Sequence, residues 1–387
     1  MSMTEPRPET LALLARLVAF PTVSAESNLA LIDFAEHHLR HAGFVTHRLP
    51  SRDGTKAGLM ARLGEGRGGV MLSAHSDVVP AEGQGWSRPP FALSRRGDRL
   101  YGRGTTDMKG FLAAMLSRAA RAGKATPARP LMLAISYDEE VGCTGIREML
   151  PGIEALGWRP ELCIVGEPTG MRPAIGHKGK AALVATCHGT AGHSSLAPRH
   201  VNALHLAAEF IAALRRIQGD YAASACTDPA YDIPFSTVHA GRMQGGAALN
   251  IVPDRAAVEF ELRHLPGDAL SDFQDRLRCE IARILAPFRA QDEAADIRIA
   301  LTNTYPGHDI APDHPAVQDV VRHCGDPRRI KVAYGTEAGY FARLGIPTVV
   351  CGPGDMEGQG HKPDEFLALP QLALCERMLD RLLAGLR

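Results

Sequence analysis

His75 and Asp77 close the apolar run GVMLSAH two residues apart, and positions two apart on a strand project from the same face. A carboxylate on one ring nitrogen fixes the tautomer and direction of an imidazole whose other nitrogen holds zinc, so the pair suits a metal ligand with its orienting acid. Read alone, a histidine at a strand end is more often an ordinary satisfied polar residue. Asp107 follows the glycine-rich turn of YGRGTTDMKG and directly precedes an apolar helix, where aspartate is equally a natural N-cap. Asp138, Glu139 and Glu140 stand at the end of the apolar strand LMLAISY. Such like charges repel unless cations or a strong donor compensate them. Glu139 and Glu140 project in different directions, so one can bind a metal while the other stays free as a base. Glu167 ends the run LCIVG, and His361 follows a glycine-rich loop after the last apolar run, PTVVCG. As a set, His75, Asp107, Glu140, Glu167 and His361, with one spare glutamate, suit a pair of zinc ions bridged by Asp107.

The elements that must position these residues follow from periodicity. Residues 8–19 carry a helical pattern ending before Pro21, and 28–42 form a second helix stopped by Gly43. FVTHRLP, AGLMARL and GVMLSAH read as strands, and GEGRGG between the last two reads as a hairpin turn, since it leads into a strand and not a nucleotide-binding helix. Helix over 109–121, strand LMLAISY, a short helix over 142–150 and strand LCIVG make an alternating α/β layer. From 178 to 303 the order becomes strand, helix, strand, strand, helix, strand, the split βαβ of a ferredoxin-like α+β unit. Helices near 316–324 and 335–344, the strand PTVVCG and a terminal helix from Leu369 then resume the α/β pattern. The fold expected is an α/β catalytic domain in two segments, 1–177 and 304–387, with a smaller domain inserted at 178–303. His75, Glu140, Glu167 and His361 then lie beyond the carboxyl ends of strands, where an open α/β sheet places its site.

In order, spacing and context, AHSDVVP, YGRGTTDMKG, YDEEVGCTG, GEPT, HGTAGHSS, NIVPD and the closing HKPDE make the sequence similar, over nearly its whole length, to the co-catalytic zinc peptidases and deacylases. The resemblance implies a zinc-aminopeptidase-like catalytic domain and an inserted ferredoxin-like domain that dimerises and serves as a lid. It implies two zinc ions per subunit, replaceable by cobalt, on His75, Asp107 (bridging), Glu140, Glu167 and His361. Asp77 would orient His75, and Glu139 would be the general base. His193 would reach the partner subunit's site and stabilise the oxyanion. Asn250 in LNIVPD and Arg263 in FELRHLP match positions that hold the substrate carboxylate, for which an arginine fork is suited. Gly335 and Thr336 in AYGTEAG match a further substrate-contacting loop. Within the family, IGHKG, YGTEAGYFARLGIPTVVCGPG and HKPDEF look most like the acetylornithine deacetylases, which implies release of acetate from N2-acetyl-L-ornithine in arginine biosynthesis. The rival readings are a succinyl-diaminopimelate desuccinylase, a carboxypeptidase, a general aminoacylase, or a non-catalytic binding module that kept the fold; the last would have lost ligands or the base. The loop DMEGQG before His361 is longer than the usual pattern, beside a ligand and the acyl or side-chain pocket.

Composition bounds the rest. The chain has 387 residues, room for about two or three domains. Lysine plus arginine and aspartate plus glutamate are 43 each, so the basic excess of a phosphate-backbone binder is missing and no nucleic acid partner is expected. Glu5 and Glu9 precede a broken apolar stretch, unlike a secretory leader, and no apolar run reaches the ~18 residues of a membrane span. Eight scattered cysteines without a C-x-x-C pair read as buried reduced thiols. The expectation is a cytoplasmic homodimer acting on a small N-acyl amino acid.

Overall fold

A computed structural model describes residues 4–24, 26–124 and 127–386, which fall into two compact units. The first takes in Met1–Gly176, His308–Lys331 and Thr336–Arg387. Its main strands are β1 (Val45–Pro50), β2 (Ala57–Leu63), β3 (Val70–His75), β4 (Leu131–Ser136) and β5 (Leu162–Pro168), with β10 (Thr348–Gly352) from the later segment. They run in the order β1-β2-β4-β3-β5-β10, and the sheet continues through shorter strands. β4, β3, β5 and β10 are mutually parallel. Every residue of β3, β4, β5 and β10 is buried, as strands covered on both faces require. Helix α3 (Gly110–Ala122) is buried continuously from Gly110 to Ala119, the pattern of a helix sunk in a core and not lying on its surface. It packs against α1 (Pro8–Val18), α2 (Leu29–His41) and α9 (Leu369–Ala384), with Leu14, Leu17, Leu372 and Leu379 turned inward, while α7 (Pro315–Cys324) lies on α9 and α8 (Ala338–Arg343) on β10.

Two local expectations are corrected. GEGRGG is no hairpin, because β4 lies between β2 and β3, antiparallel to one and parallel to the other. The connection must cross the start of β4, and Gly64, Gly66, Gly68 and Gly69 all take positive φ there; a Cβ on Gly69 would strike the Pro130 carbonyl. The helix expected over 142–150 runs instead as α4 (Thr144–Leu156) through Pro151. Its buried stripe Ile146, Met149, Ile153 continues beyond the proline, and that packing outweighs the lost backbone donor.

The second unit is His177–Gly307 together with Val332–Gly335. Its four-stranded antiparallel sheet has the order β7-β8-β6-β9, from β6 (Gly179–His188), β7 (Thr237–Gly245), β8 (Arg255–His264) and β9 (Asp296–Tyr305). Helices α5 (Ala203–Ala223) and α6 (Leu270–Arg289) occupy the crossovers, giving the chain order strand, helix, strand, strand, helix, strand. β6 alternates buried and half-buried residues without a break, so Ala181, Leu183, Ala185 and Cys187 face a core shared with Phe210 and Phe273. A two-stranded ribbon, Gly192–His193 against Ile251–Val252, is added to this plan.

Helix and sheet approach closely at Gly166 of β5, where a Cβ would overlap the Phe111 ring of α3. Gly166→Ala is expected to destabilise the protein by about 1–3 kcal/mol through overpacking, read as a lower thermal midpoint. An unchanged midpoint would mean that α3 can shift without cost.

Candidate active site

His75 ends β3, Glu139 and Glu140 follow β4, Glu167 lies at the carboxyl end of β5, and His361 follows the loop after β10. Four parallel strands thus deliver their following residues to one place. Asp107 comes from the segment that enters α3. Its carboxylate is shared: Oδ1 is 3.0 Å from His75 Nε2 and Oδ2 is 3.1 Å from His361 Nε2. His361 Nε2 is also 2.9 Å from Glu140 Oε2, and His75 Nε2 is 3.7 Å from Glu167 Oε1. The N-cap alternative for Asp107 is overturned, since the residue before α3 is Lys109 and no side chain caps that helix.

Asp77 makes more contacts than a partner for His75 needs. His75 Nδ1 donates to the Asp77 backbone carbonyl at 2.9 Å, and the Asp77 carboxylate is 3.5 Å away. That carboxylate also accepts from the backbone N–H groups of Glu139 (3.1 Å) and Glu140 (3.2 Å) and from the Ser24 hydroxyl (2.8 Å). One buried acid therefore fixes both His75 and the turn that carries the two glutamates. Cys143, which the sequence marks only as a buried thiol, points its Sγ at Glu139 Oε1, 3.2 Å away. Lys109 was missed as well; it is fully buried, donates from Nζ to the Phe20 carbonyl at 2.7 Å, and burial pushes it down to about 7.

The electrostatics are those of a cation site. Burial and the Asp107 charge push Glu140 up to about 7 and Glu167 well above the usual carboxylate range, and burial does the same to Glu139 despite His75. The Asp107 and Glu140 carboxylates push His361 up to about 10. Burial opposes the charged form of His75, but Asp107 and Asp77 hold it well above its ordinary value. Two groups offer converging ligand atoms, His75 with Asp107 and Glu140, and His75 with Glu139 and Glu167. Glu140 Oε1 is buried without a hydrogen-bond partner. Imidazole and carboxylate donors around a shared acid, with an acceptor left over, fit two divalent cations such as zinc.

Of the residues assigned to substrate, Thr336 belongs to the first unit and Asn250, Arg263 and Gly335 to the second. Thr336 is buried in the first unit, its hydroxyl accepting from the Ala338 N–H at 3.0 Å. In the second unit, exposed His193 and Asn250 sit together on the ribbon, with the Ser194 N–H 3.0 Å from the Asn250 carbonyl. Arg263 lies at the far end of the sheet, its guanidinium on Glu261 (3.0 Å) and Tyr305 (2.5 Å), with Gly335 against the same tyrosine ring. β8 pairs Arg263 with Lys180 and Arg255 with His188. At roughly 3.4 Å per residue those ends are about 27 Å apart. Asn250 precedes the Arg255 end of this strand by five residues, so it and Arg263 lie toward opposite ends of the sheet.

The family model described as peptidase family M20/M25/M40 matches residues 71–385. The chain belongs to this family. An acetylornithine deacetylase of Proteus mirabilis is 33% identical over 383 residues, covering 97% of this chain and 96% of its own length. That of Edwardsiella ictaluri is 34% identical over 388 residues, covering 97% of each. Among solved structures, an M20 metallo-carboxypeptidase from Sulfolobus solfataricus aligns with a TM-score of 0.78 at 18% identity, over 97% of this chain and 99% of that one. A dinuclear metal-binding M20 peptidase from Bacillus subtilis aligns at 0.70 and 15% identity, over 97% of each chain. Membership of M20 makes the chain a metal-binding hydrolase with a mixed α/β fold. Among the described residues no helix is long and apolar enough to cross a membrane.

Within the M20 frame the two adjacent glutamates are separable. Glu139→Gln is expected to keep metal content near wild type and to lower turnover about a hundredfold to ten-thousandfold, because an amide cannot take a proton. Glu140→Gln should lose metal. Equal metal stoichiometry in the two variants would show the roles reversed. A second expectation follows from the histidines: the acids around them hold His75 well above the ordinary imidazole range and His361 up to about 10, so a cation that takes their ring nitrogens competes with protons. Raising the pH removes the competing protons, and zinc affinity should climb between about pH 7 and 9 with acid released on binding. A flat affinity profile over that range would contradict it.

Proposed function

We propose that this M20 enzyme is a zinc-dependent deacylase of N-acyl-L-amino acids, with N2-acetyl-L-ornithine as its substrate and L-ornithine and acetate as its products, working in arginine biosynthesis in the cytoplasm. The observation that carries the reading is the Asp107 carboxylate with one histidine on each oxygen and Glu139 beside it, in a chain about one-third identical to acetylornithine deacetylases along its length. His75, Asp107, Glu140, Glu167 and His361 would hold two zinc ions, which when bound supply Lewis acidity toward an amide carbonyl and toward water. Glu139 takes the proton of the attacking water and passes it to the leaving amine. Asp77 keeps His75 and the Glu139 turn in register while this happens.

His193 and Asn250 act on the site of a second copy. Support comes from the distance between the two ends of β8 and from Leu196, Leu249 and Ile251, whose apolar side chains are exposed around His193 and Asn250. A twofold pair of chains brings such opposite ends together, each supplying the other. His193 then stabilises the oxyanion, while Asn250 and Arg263 bind the α-carboxylate.

A panel of N2-acetyl-L-ornithine, other N-acetyl amino acids, N-succinyl-diaminopimelate and dipeptides tests the substrate. kcat/KM should be highest for acetylornithine, and a preference for the succinylated compound or a dipeptide would replace it. For the dimer, inactive His193→Ala and inactive Glu139→Gln proteins are mixed. Activity should partly return, since a mixed pair contains one intact site. Failure to recover despite proven subunit exchange would place His193 in its own chain's site.

A further inference from the structure

Behind Asp107 stands a buried carboxylate that the chemistry above leaves unused. Glu365 is 1% exposed and follows His361 on the same segment. Its Oε1 accepts the backbone N–H groups of Thr106 (2.8 Å) and Asp107 (3.2 Å). Its Oε2 accepts the Gly104 N–H (2.9 Å) and Arg103 Nη1 (2.8 Å). The stitching extends along the chain: the Glu365 carbonyl accepts from the Gly102 N–H at 3.0 Å, and the Phe366 carbonyl from the Thr106 hydroxyl at 2.6 Å. Arg103 is itself buried, with Nη2 on the Pro80 carbonyl at 3.2 Å and its guanidinium 4.9 Å from the centre of the Trp86 ring.

We infer that Glu365 is a positioning residue for metal binding, setting the Asp107 carboxylate and the His361 imidazole in register through the four donors it accepts. Gly104, Thr106 and Asp107 precede α3, so the N–H groups of this turn need an acceptor from outside it. A charged acceptor holds them more firmly than a neutral one. Because Glu365 belongs to the segment that bears His361, one side chain fixes two loops far apart in sequence, the two that meet on Asp107. Both carboxylate oxygens are used, each by two donors. An amide presents only one acceptor oxygen, and its NH2 would face two donors on the other side.

The inference rests on Asp107 being a ligand shared by two cations, and the test separates the two claims. Glu365→Gln, Asp107→Asn and the core truncation Leu379→Ala, on α9 and outside the site, are each stripped of metal. They are then titrated with Zn²⁺ against a chromophoric chelator, loaded with Co²⁺ for visible absorption, and melted without metal. Glu365→Gln should bind at least one Zn²⁺ about ten- to a hundredfold more weakly than wild type and change the Co²⁺ spectrum. Leu379→Ala should lose thermal stability with Zn²⁺ affinity and Co²⁺ spectrum unchanged. If Glu365→Gln loses stability alone, or if both variants weaken Zn²⁺ equally, Glu365 only supports the fold and the inference falls. Wild-type Zn²⁺ binding in Asp107→Asn removes the shared-ligand reading itself. Should the amide variant not fold, Glu365→Asp keeps the charge but withdraws it by one methylene and carries the same expectation; wild-type affinity there overturns the inference.

Discussion

Asp107 is the point on which the site turns, because one carboxylate has to face His75 with one oxygen and His361 with the other. A carboxylate offers two acceptor directions in a fixed plane, so sharing it constrains both imidazoles at once. His75 is fixed by the parallel register of β3 with β4 and β5, whereas His361 sits on a loop with positive φ at His361 and Asp364. A strand residue and a loop residue meet on the same acid. The loop partner therefore needs anchoring that the strand partner gets from the sheet.

Burial makes this demand sharper. In water Glu140 and Glu167 would ionise independently; packed with Asp107 away from solvent they resist it, and the imidazoles gain protons to compensate. Asp77 escapes the same penalty by a different route, since two backbone N–H groups, a hydroxyl and His75 all face its carboxylate. Among the described residues Glu140 and Glu167 have no comparable set of donors, which suits them to a cation, whereas Asp77 holds His75 and the turn of Glu139 and Glu140 in place.

The sheet strands were legible because a parallel strand buried on both faces leaves a nearly unbroken apolar run, and the residue after each run is where the sheet opens. Periodicity also revealed the alternation of β6 in the second unit. Pairing order was not legible: GEGRGG looks like a turn in one dimension, and only the insertion of β4 between its flanking strands makes it a crossing. Pro151 hid half of α4 because local propensity ends a helix there while the buried stripe continues. Cys143 was invisible as a partner of Glu139, since a thiol in DEEVGCTG reads equally as core. Nothing within HKPDE marks a role for Glu365, because its donors lie at Arg103 to Asp107, far away along the chain.

Charge balance bears on how many cations the site suits. The two converging groups together hold Asp107, Glu139, Glu140 and Glu167, four carboxylates, around His75, and His361 joins through Asp107 and Glu140. With both imidazoles neutral, as metal ligands must be, the ionised acids carry a charge of about −4. One divalent cation would leave about half of that uncompensated in a buried place, at a cost that low dielectric makes severe. Two would neutralise it, so the acids of the two converging groups match a pair of divalent ions.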